Sequence, residues 1–374
     1  MFFSFKFFKS QETINCITYY QKSMKKLTFI LLIAASISTT ICCNKEINQT
    51  EQMSDALSVS SSITINPDTK FGVLPNNVQG DKKVTVANNL EVDYVRNSIT
   101  VKDFTGKSPM QEKYNQHGFK IVLNLNWDHV QSINGTKTAV AFPTNMTDYK
   151  NKLQNVLNKY KPEIAVIENE PYNDLYYKGP INDYFNELSA AISVCKQKGI
   201  KVADGGLNPQ MVSILVYQNY VNKGQQKQAD DFGKRALTDA NLNAAKGKGS
   251  KDINAKIDKT KSMINNYKKS DLDYVNLHWY EPIKTGIDQT ISSPGVLKEI
   301  ADYLRTATGK EVITNEFRET NEKTTLIKSM VNAFKSANFK YAIDFSGEGQ
   351  SGAVSLTNGT TLKPNGKAYR DAIK

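Results

Sequence analysis

The sequence predicts an α/β fold closed into a (β/α)8 TIM barrel, and three observations carry that reading. Short apolar runs recur eight times, helical periodicities separate most of them, and one connection, after the fifth run, is far longer than the rest. The runs are Lys70 to Leu74, Val92 to Asn97, Lys120 to Asn126, Ile164 to Glu170, Ile200 to Asp204, Tyr274 to Tyr280, Val312 to Phe317 and Tyr341 to Ser346. Helical patterns fall at Tyr149 to Tyr160, Ile181 to Lys198, Pro294 to Thr306, Glu322 to Ala337 and Pro364 to Ile373, with shorter ones near Lys82 to Leu90 and Ser108 to His117. A doubly wound open sheet uses the same alternation, but no Gly-rich phosphate loop follows the first run.

The long connection makes residues of about 208–270 a helical insertion after strand five. From about Gln225 to Lys269 it is rich in Lys, Gln and Asn, too polar for a second core, and is expected on the catalytic face as a cleft wall or lid.

The first 43 residues stand apart. Met24-Lys25-Lys26, an apolar stretch from Leu27 to Ile37 and then Cys42-Cys43 have the layout of a bacterial export signal with a lipoprotein-type cleavage site. The apolar stretch is short for a spanning helix. Cys43, preceded by the small Cys42, is favoured as the lipidated residue over Cys42, preceded by Ile41; residues 1–23 resemble no export signal, which leaves Met24 as an alternative start. Residues 44–68 are polar and read as a tether to a domain spanning 69–374. The expected location is therefore the bacterial cell envelope, with a membrane partner through the lipid.

Composition narrows the chemistry. With 39% hydrophobic and 23% charged residues the chain is an ordinary globular protein. Five lysines against Glu12 place +4 of the +11 net charge in the leader, leaving +7 spread over the rest without a basic block. No nucleic-acid module or nucleophile-elbow motif appears. After the leader one thiol remains, Cys195 in a helical pattern, and three histidines show no ligand spacing, so neither a disulfide, a metal nor a cofactor is expected. The domain is read as a monomer.

Catalytic candidates come from strand ends. Ile164-Ala165-Val166-Ile167 runs into Glu168-Asn169-Glu170-Pro171, and Glu311-Val312-Ile313-Thr314 into Asn315-Glu316-Phe317, which offers the carboxylate pair Glu170 and Glu316. Alternation along strands places Asn124 with Asn126, Glu168 with Glu170, Thr314 with Glu316, and Asn276, His278 with Tyr280 on interior faces. Two carboxyls in one cleft are what glycoside hydrolysis needs. Glu168 reads as a buried network member and Asp204, before Gly205-Gly206, as turn chemistry.

Asn169-Glu170-Pro171 on strand four, His278-Trp279-Tyr280 on strand six and Glu316 on strand seven resemble the clan A glycoside hydrolases, retaining enzymes on a (β/α)8 barrel. The resemblance implies cleavage of β-linked oligo- or polysaccharide, with Glu170 as acid/base and Glu316 as nucleophile. It implies that Asn169 bonds a sugar 2-hydroxyl, Tyr280 orients Glu316, Arg96 lies near the nucleophile and His278 lines the first sugar subsite. Asn126 joins the substrate-binding candidates. Many clan members end strand eight with a tryptophan, where this chain has Asp344-Phe345-Ser346-Gly347-Glu348; Trp127, Trp279, Tyr172, Tyr176 and Tyr177 are the alternative stacking surfaces. A catalytically silent glycan-binding barrel is the competing reading.

Overall fold

The structure, a computed structural model, describes residues 68–133, 136–280, 294–347 and 354–374. The leader, Cys42, Cys43, the tether up to residue 67 and Glu348 lie outside them. No helix among the described residues is long and apolar enough to cross a membrane.

Eight parallel strands close on themselves: β1 (Lys70–Pro75), β2 (Tyr94–Thr100), β3 (Lys120–Asn126), β4 (Ile164–Ile167), β5 (Lys201–Asp204), β6 (Tyr274–Asn276), β7 (Glu311–Arg318) and β8 (Tyr341–Ser346). Closure is the pairing of β8 back on β1, with Lys70 opposite Tyr341 through Pro75 opposite Ser346. After a two-residue break β6 resumes at Trp279–Tyr280, which pairs with the end of β7.

The barrel interior starts apolar and turns polar. Tyr94, Val122, Ile164, Val166, Ala203, Ile313, Tyr341 and Ile343 form the packed interior layers, with Leu74 and Tyr274 against them. Tyr341 meets the rings of both Tyr94 and Tyr274 edge-on, at 5.3 and 5.7 Å between centroids. Two positions further along four strands stand Arg96, Asn124, Asn276 and Asn315, all buried. With a side-chain period of two, each is the next interior layer towards the C-terminal mouth. The alternate positions on β2, β3 and β4, such as Val95, Leu123, Leu125, Ala165 and Ile167, face the helices and join the large outer core.

Helices α1 (Lys82–Asn89), α2 (Pro109–Gln116), α3 (Met146–Tyr160) and α4 (Ile181–Gln197) follow the first four strands. Helix α3 starts at Asn145, whose side chain accepts from the N–H groups of Thr147 and Asp148, each at 3.1 Å. The insertion supplies α5 (Pro209–Asn222), α6 (Gln226–Ala236), α7 (Asp239–Ala245) and α8 (Lys251–Lys269); α9 (Pro294–Thr308), α10 (Thr324–Ser336) and α11 (Pro364–Ile373) complete the described ring.

The insertion begins with an apolar helix ahead of its polar stretch. Its first helix, α5, is buried on nearly every side from Pro209 to Tyr217 and extends the core through Val212, Ile214, Leu215 and Val216. The polar length falls on α6 and α8, and even α8 buries a stripe, Ile257, Thr260, Met263, Ile264 and Tyr267, at helical spacing. The insertion is thus anchored in the barrel's own core.

Gly72 marks how tightly β1 is seated. A Cβ there would lie 2.7 Å from Ile343 Cδ1 and 2.8 Å from Tyr94 Cβ, both inside the barrel. Gly72→Ala is expected to lower stability by about 1–3 kcal/mol through overpacking, read as a fall in the chemical-denaturation midpoint; an unchanged midpoint would show that β1 has room to shift.

Candidate active site

The two carboxylates picked from strand ends reach one mouth by backbone irregularity. Strand β4 stops at Ile167, three residues short of the expected end, because Glu168 and Glu170 both adopt left-handed backbone, φ 66° and 52°. Each such non-glycine residue costs on the order of 1–3 kcal/mol and persists where surroundings enforce it. The kink turns the two side chains apart. Glu168, expected to share the interior face with Glu170, instead enters the strand–helix layer, where it accepts from the Trp127 N–H at 2.6 Å and from the Tyr177 hydroxyl. Glu170 keeps the cleft.

On β7 the expected parity also fails. Ile313 and Asn315 face inward, not Thr314, and the register shifts between Thr314 and Phe317. Thr314 Oγ1 braces the irregularity by donating to the Glu316 carbonyl at 3.0 Å. The bulge delivers Glu316 to the mouth despite its sequence parity.

Glu316 is flanked on both oxygens. Oε2 pairs with the Arg96 guanidinium and Oε1 accepts from the Tyr280 hydroxyl. Burial alone would raise its pKa, but the Arg96 charge, His278 and the Tyr280 bond hold it down at about 2. Arg96 also donates to Asn169 Oδ1 at 2.7 Å and to the Asn315 carbonyl at 3.1 Å.

Glu170 has a different set. Its Oε1 lies 3.1 Å from His278 Nδ1, and its Oε2 accepts from Asn173 Nδ2 at 3.0 Å. Burial pushes Glu170 upward, yet the His278 bond and charge outweigh it and leave the carboxyl below its ordinary value. His278 is raised: burial opposes its charge, but the Glu170 bond and the Glu316 charge prevail.

Three sequence assignments change here. His278 is fully buried with both ring nitrogens on protein partners, Nε2 being 3.0 Å from Asn315 Oδ1, so it backs Glu170 and does not line a sugar subsite. Trp279 is fully buried in the outer core, and Tyr177 is buried against Phe142 at 4.8 Å, so neither offers a stacking face. Half-buried Trp127 meets Tyr149 edge-on at 5.8 Å, and Asn126 accepts from Asn124 at 3.2 Å. Tyr172 and Tyr280 line the cleft itself. At the end of β8, Asp344 and Ser346 turn outward and are buried, while half-buried Phe345 shares the inward parity of Ile343. The aromatic at the strand-eight mouth is therefore Phe345.

The cleft beside Glu170 encloses ≈ 590 Å³ between the β4–α4 loop and the insertion, with Asn208, Met211, Lys256, Lys259 and Thr260 on the insertion side. Lys259 Nζ donates to the Tyr172 carbonyl at 3.2 Å and to Asp174 Oδ1 at 2.6 Å, tying α8 to the loop that follows Glu170. Asp204 does serve its turn, accepting from Gly206 N–H at 2.8 Å, and also accepts from Asn276 N–H at 2.7 Å. Gly206 (φ 103°) sits where any Cβ would enter the His278 ring. Sequence reasoning passed over Asn315 and Asn173. The signal for Asn315 was present, since Asn315-Glu316 repeats the Asn169-Glu170 pairing.

Fold and site together define a (β/α)8 barrel with two differently partnered glutamates at its C-terminal mouth. No protein-family model matches the chain, and no curated protein matches it by sequence. Solved structures match by fold. A hyperthermophilic β-glucosidase from Pyrococcus furiosus aligns with TM-score 0.52 and 11% identity over 82% of this chain and 95% of that one. A GH30 endoxylanase from Clostridium papyrosolvens gives 0.47 and 15% over 82% and 72%. A GH128 endo-β-1,3-glucanase from Amycolatopsis mediterranei gives 0.44 and 14% over 81% and 99%.

The outer layer carries a pH dependence of its own. Burial raises Glu168 to about 7 and, with the facing Glu168, raises Glu187 well above the carboxylate range. The native pair thus retains a proton that the unfolded chain releases near pH 4.5, so stability is full below that value and falls as pH rises towards about 7. The unfolding midpoint is expected to drop between about pH 5 and 8, and Glu187→Gln, which removes one of the two titrating groups, to flatten part of that drop. An equal slope in the variant would place the dependence elsewhere.

Proposed function

We propose that this protein is a retaining glycoside hydrolase that cleaves β-glycosidic bonds of an oligo- or polysaccharide. The carrying observation is the unequal partnering of two glutamates at one barrel mouth. Glu316 is locked ionised by Arg96 and Tyr280, while Glu170 shares its oxygen with an imidazole. An ionised carboxylate suits attack on an anomeric carbon, and a carboxyl with a proton at hand suits protonation of the leaving oxygen.

In this mechanism Glu316 forms the bond to the anomeric carbon as the glycosidic C–O electrons pass to the leaving oxygen, which takes its proton from Glu170. Esterification then removes the Glu316 charge. Because that charge raises Glu170, its loss favours the Glu170 carboxylate, the form that draws a proton from water in the second step. Asn169, held by Arg96, faces the 2-hydroxyl in this reading, and Tyr172, which lines the cleft, offers an aromatic face to a sugar ring.

The test is a panel of β-linked glycans, glucosides first, with the anomer of the first-formed product read by NMR. Retention is the expected outcome. Glu316→Ala is expected to abolish turnover, and Glu170→Ala to slow substrates with poor leaving groups by about 10²–10⁴-fold. Binding without turnover across the panel would favour the glycan-binding barrel. The leader reading adds an enzyme tethered at the cell envelope: Cys43→Ala is expected to release it from the membrane fraction, and retention there would overturn lipidation at Cys43.

A further inference from the structure

The side-chain amides beneath the cleft have only one consistent orientation, because main-chain groups anchor them from two directions. The Asn315 N–H donates to the Asn276 amide at 3.0 Å, so an oxygen must stand there, and the Asn276 Nδ2 points at the Asp204 carbonyl (3.3 Å) and at Asn315 (2.7 Å). Asn315 therefore presents Oδ1 to Asn276. From the other side, Asn124 Nδ2 donates to the Glu168 carbonyl at 2.9 Å, which leaves Asn124 Oδ1 to accept Asn315 Nδ2 at 2.7 Å. Both routes give Asn315 the same orientation.

The consequence falls on His278. Its Nε2 lies 3.0 Å from Asn315 Oδ1, an acceptor that cannot donate, so Nε2 must carry a hydrogen. Its Nδ1 lies 3.1 Å from Glu170 Oε1. Without a proton between them, a ring lone pair would face a carboxylate in a fully buried contact. The other Glu170 oxygen is committed as an acceptor, since Asn173, whose Oδ1 takes the Leu175 N–H at 3.1 Å, turns Nδ2 towards it.

We propose that the amide chain Asp204–Asn276–Asn315 makes His278 a positioning residue that keeps one proton on the His278–Glu170 pair, the proton Glu170 later hands to the leaving group. This rests on the catalytic reading of Glu170 only for the proton's destination. In that step the N–H or O–H bond of the pair breaks as the O–H bond of the leaving group forms, and His278 is left neutral with hydrogen on Nε2. The charged and titratable groups facing the pair are Glu316, Arg96, Asp204, Tyr172 and Tyr280.

The test is ¹⁵N NMR of the imidazoles in the full chain, which holds three histidines, with His278 assigned from the spectrum of His278→Gln. Hydrogen on Nε2 is expected throughout about pH 5 to 8. Glu170→Gln, which removes the carboxylate that shares the proton, is expected to leave a neutral Nε2–H ring over the same range. A ring with hydrogen on Nδ1 and none on Nε2, or a neutral ring beside a Glu170 carboxyl that ¹³C NMR shows ionised, would overturn the proposal. An enzyme inactive on every glycan but with the expected spectra would sink the catalytic reading and leave the proton assignment standing.

Discussion

The side chain of Asn315 is the contact on which the mouth of this barrel depends. It joins Asn124 of β3 to Asn276 of β6 from its own place on β7, and through Asn276 it reaches Asp204 of β5. These groups are buried, where an unpaired amide would cost about 1–3 kcal/mol each. Satisfying them locks the relative heights of the strands that carry the two glutamates. The apolar layers below close the barrel without specifying polar geometry; the amide layer above turns a packed interior into a platform.

That platform also explains why strain is tolerable just above it. Glu168 and Glu170 hold left-handed backbone, and the carbonyl between them is gripped by Asn124 while the Glu170 N–H donates to the Gly205 carbonyl at 2.8 Å. The kink separates two acidic side chains that regular alternation would have pointed the same way. One enters a dry layer with Tyr177 and Glu187, and the other meets His278. The insertion reinforces this arrangement from outside: α5 is buried in the core, and α8 reaches across through Lys259 to hold the loop after Glu170.

The barrel and its strand order were legible because parallel strands buried on both faces read as apolar runs, and loops between them punctuate clearly. The pairing of Glu170 with Glu316 was legible for the same reason, as both close such runs. The faces were less so. Period-two reasoning holds for Asn124 and Asn276 on regular backbone, and fails at Glu168 and at Thr314-Asn315-Glu316, where a left-handed turn and a register shift reset the count. Neither irregularity has a glycine to announce it. The burial of Trp279 and His278 was hidden too, since exposure at a strand end depends on what the neighbouring loop covers. The apolar character of α5 was masked by the polar stretch that follows it.

The chemical difference between the two glutamates comes from partner chemistry and not from differential burial, for both are deeply enclosed. Arg96 offers a permanent charge that cannot yield a proton at any ordinary pH, so Glu316 stays a carboxylate. His278 offers a charge that can be given up, so Glu170 has a partner able to exchange a proton with it, as the proposed acid/base role requires. Exchanging the partners would exchange the behaviour: an arginine at 278 would pin Glu170 ionised, and an imidazole at 96 would let Glu316 take up a proton. Two like carboxylates at one mouth thus become chemically unequal through a guanidinium on β2 and an imidazole just beyond β6.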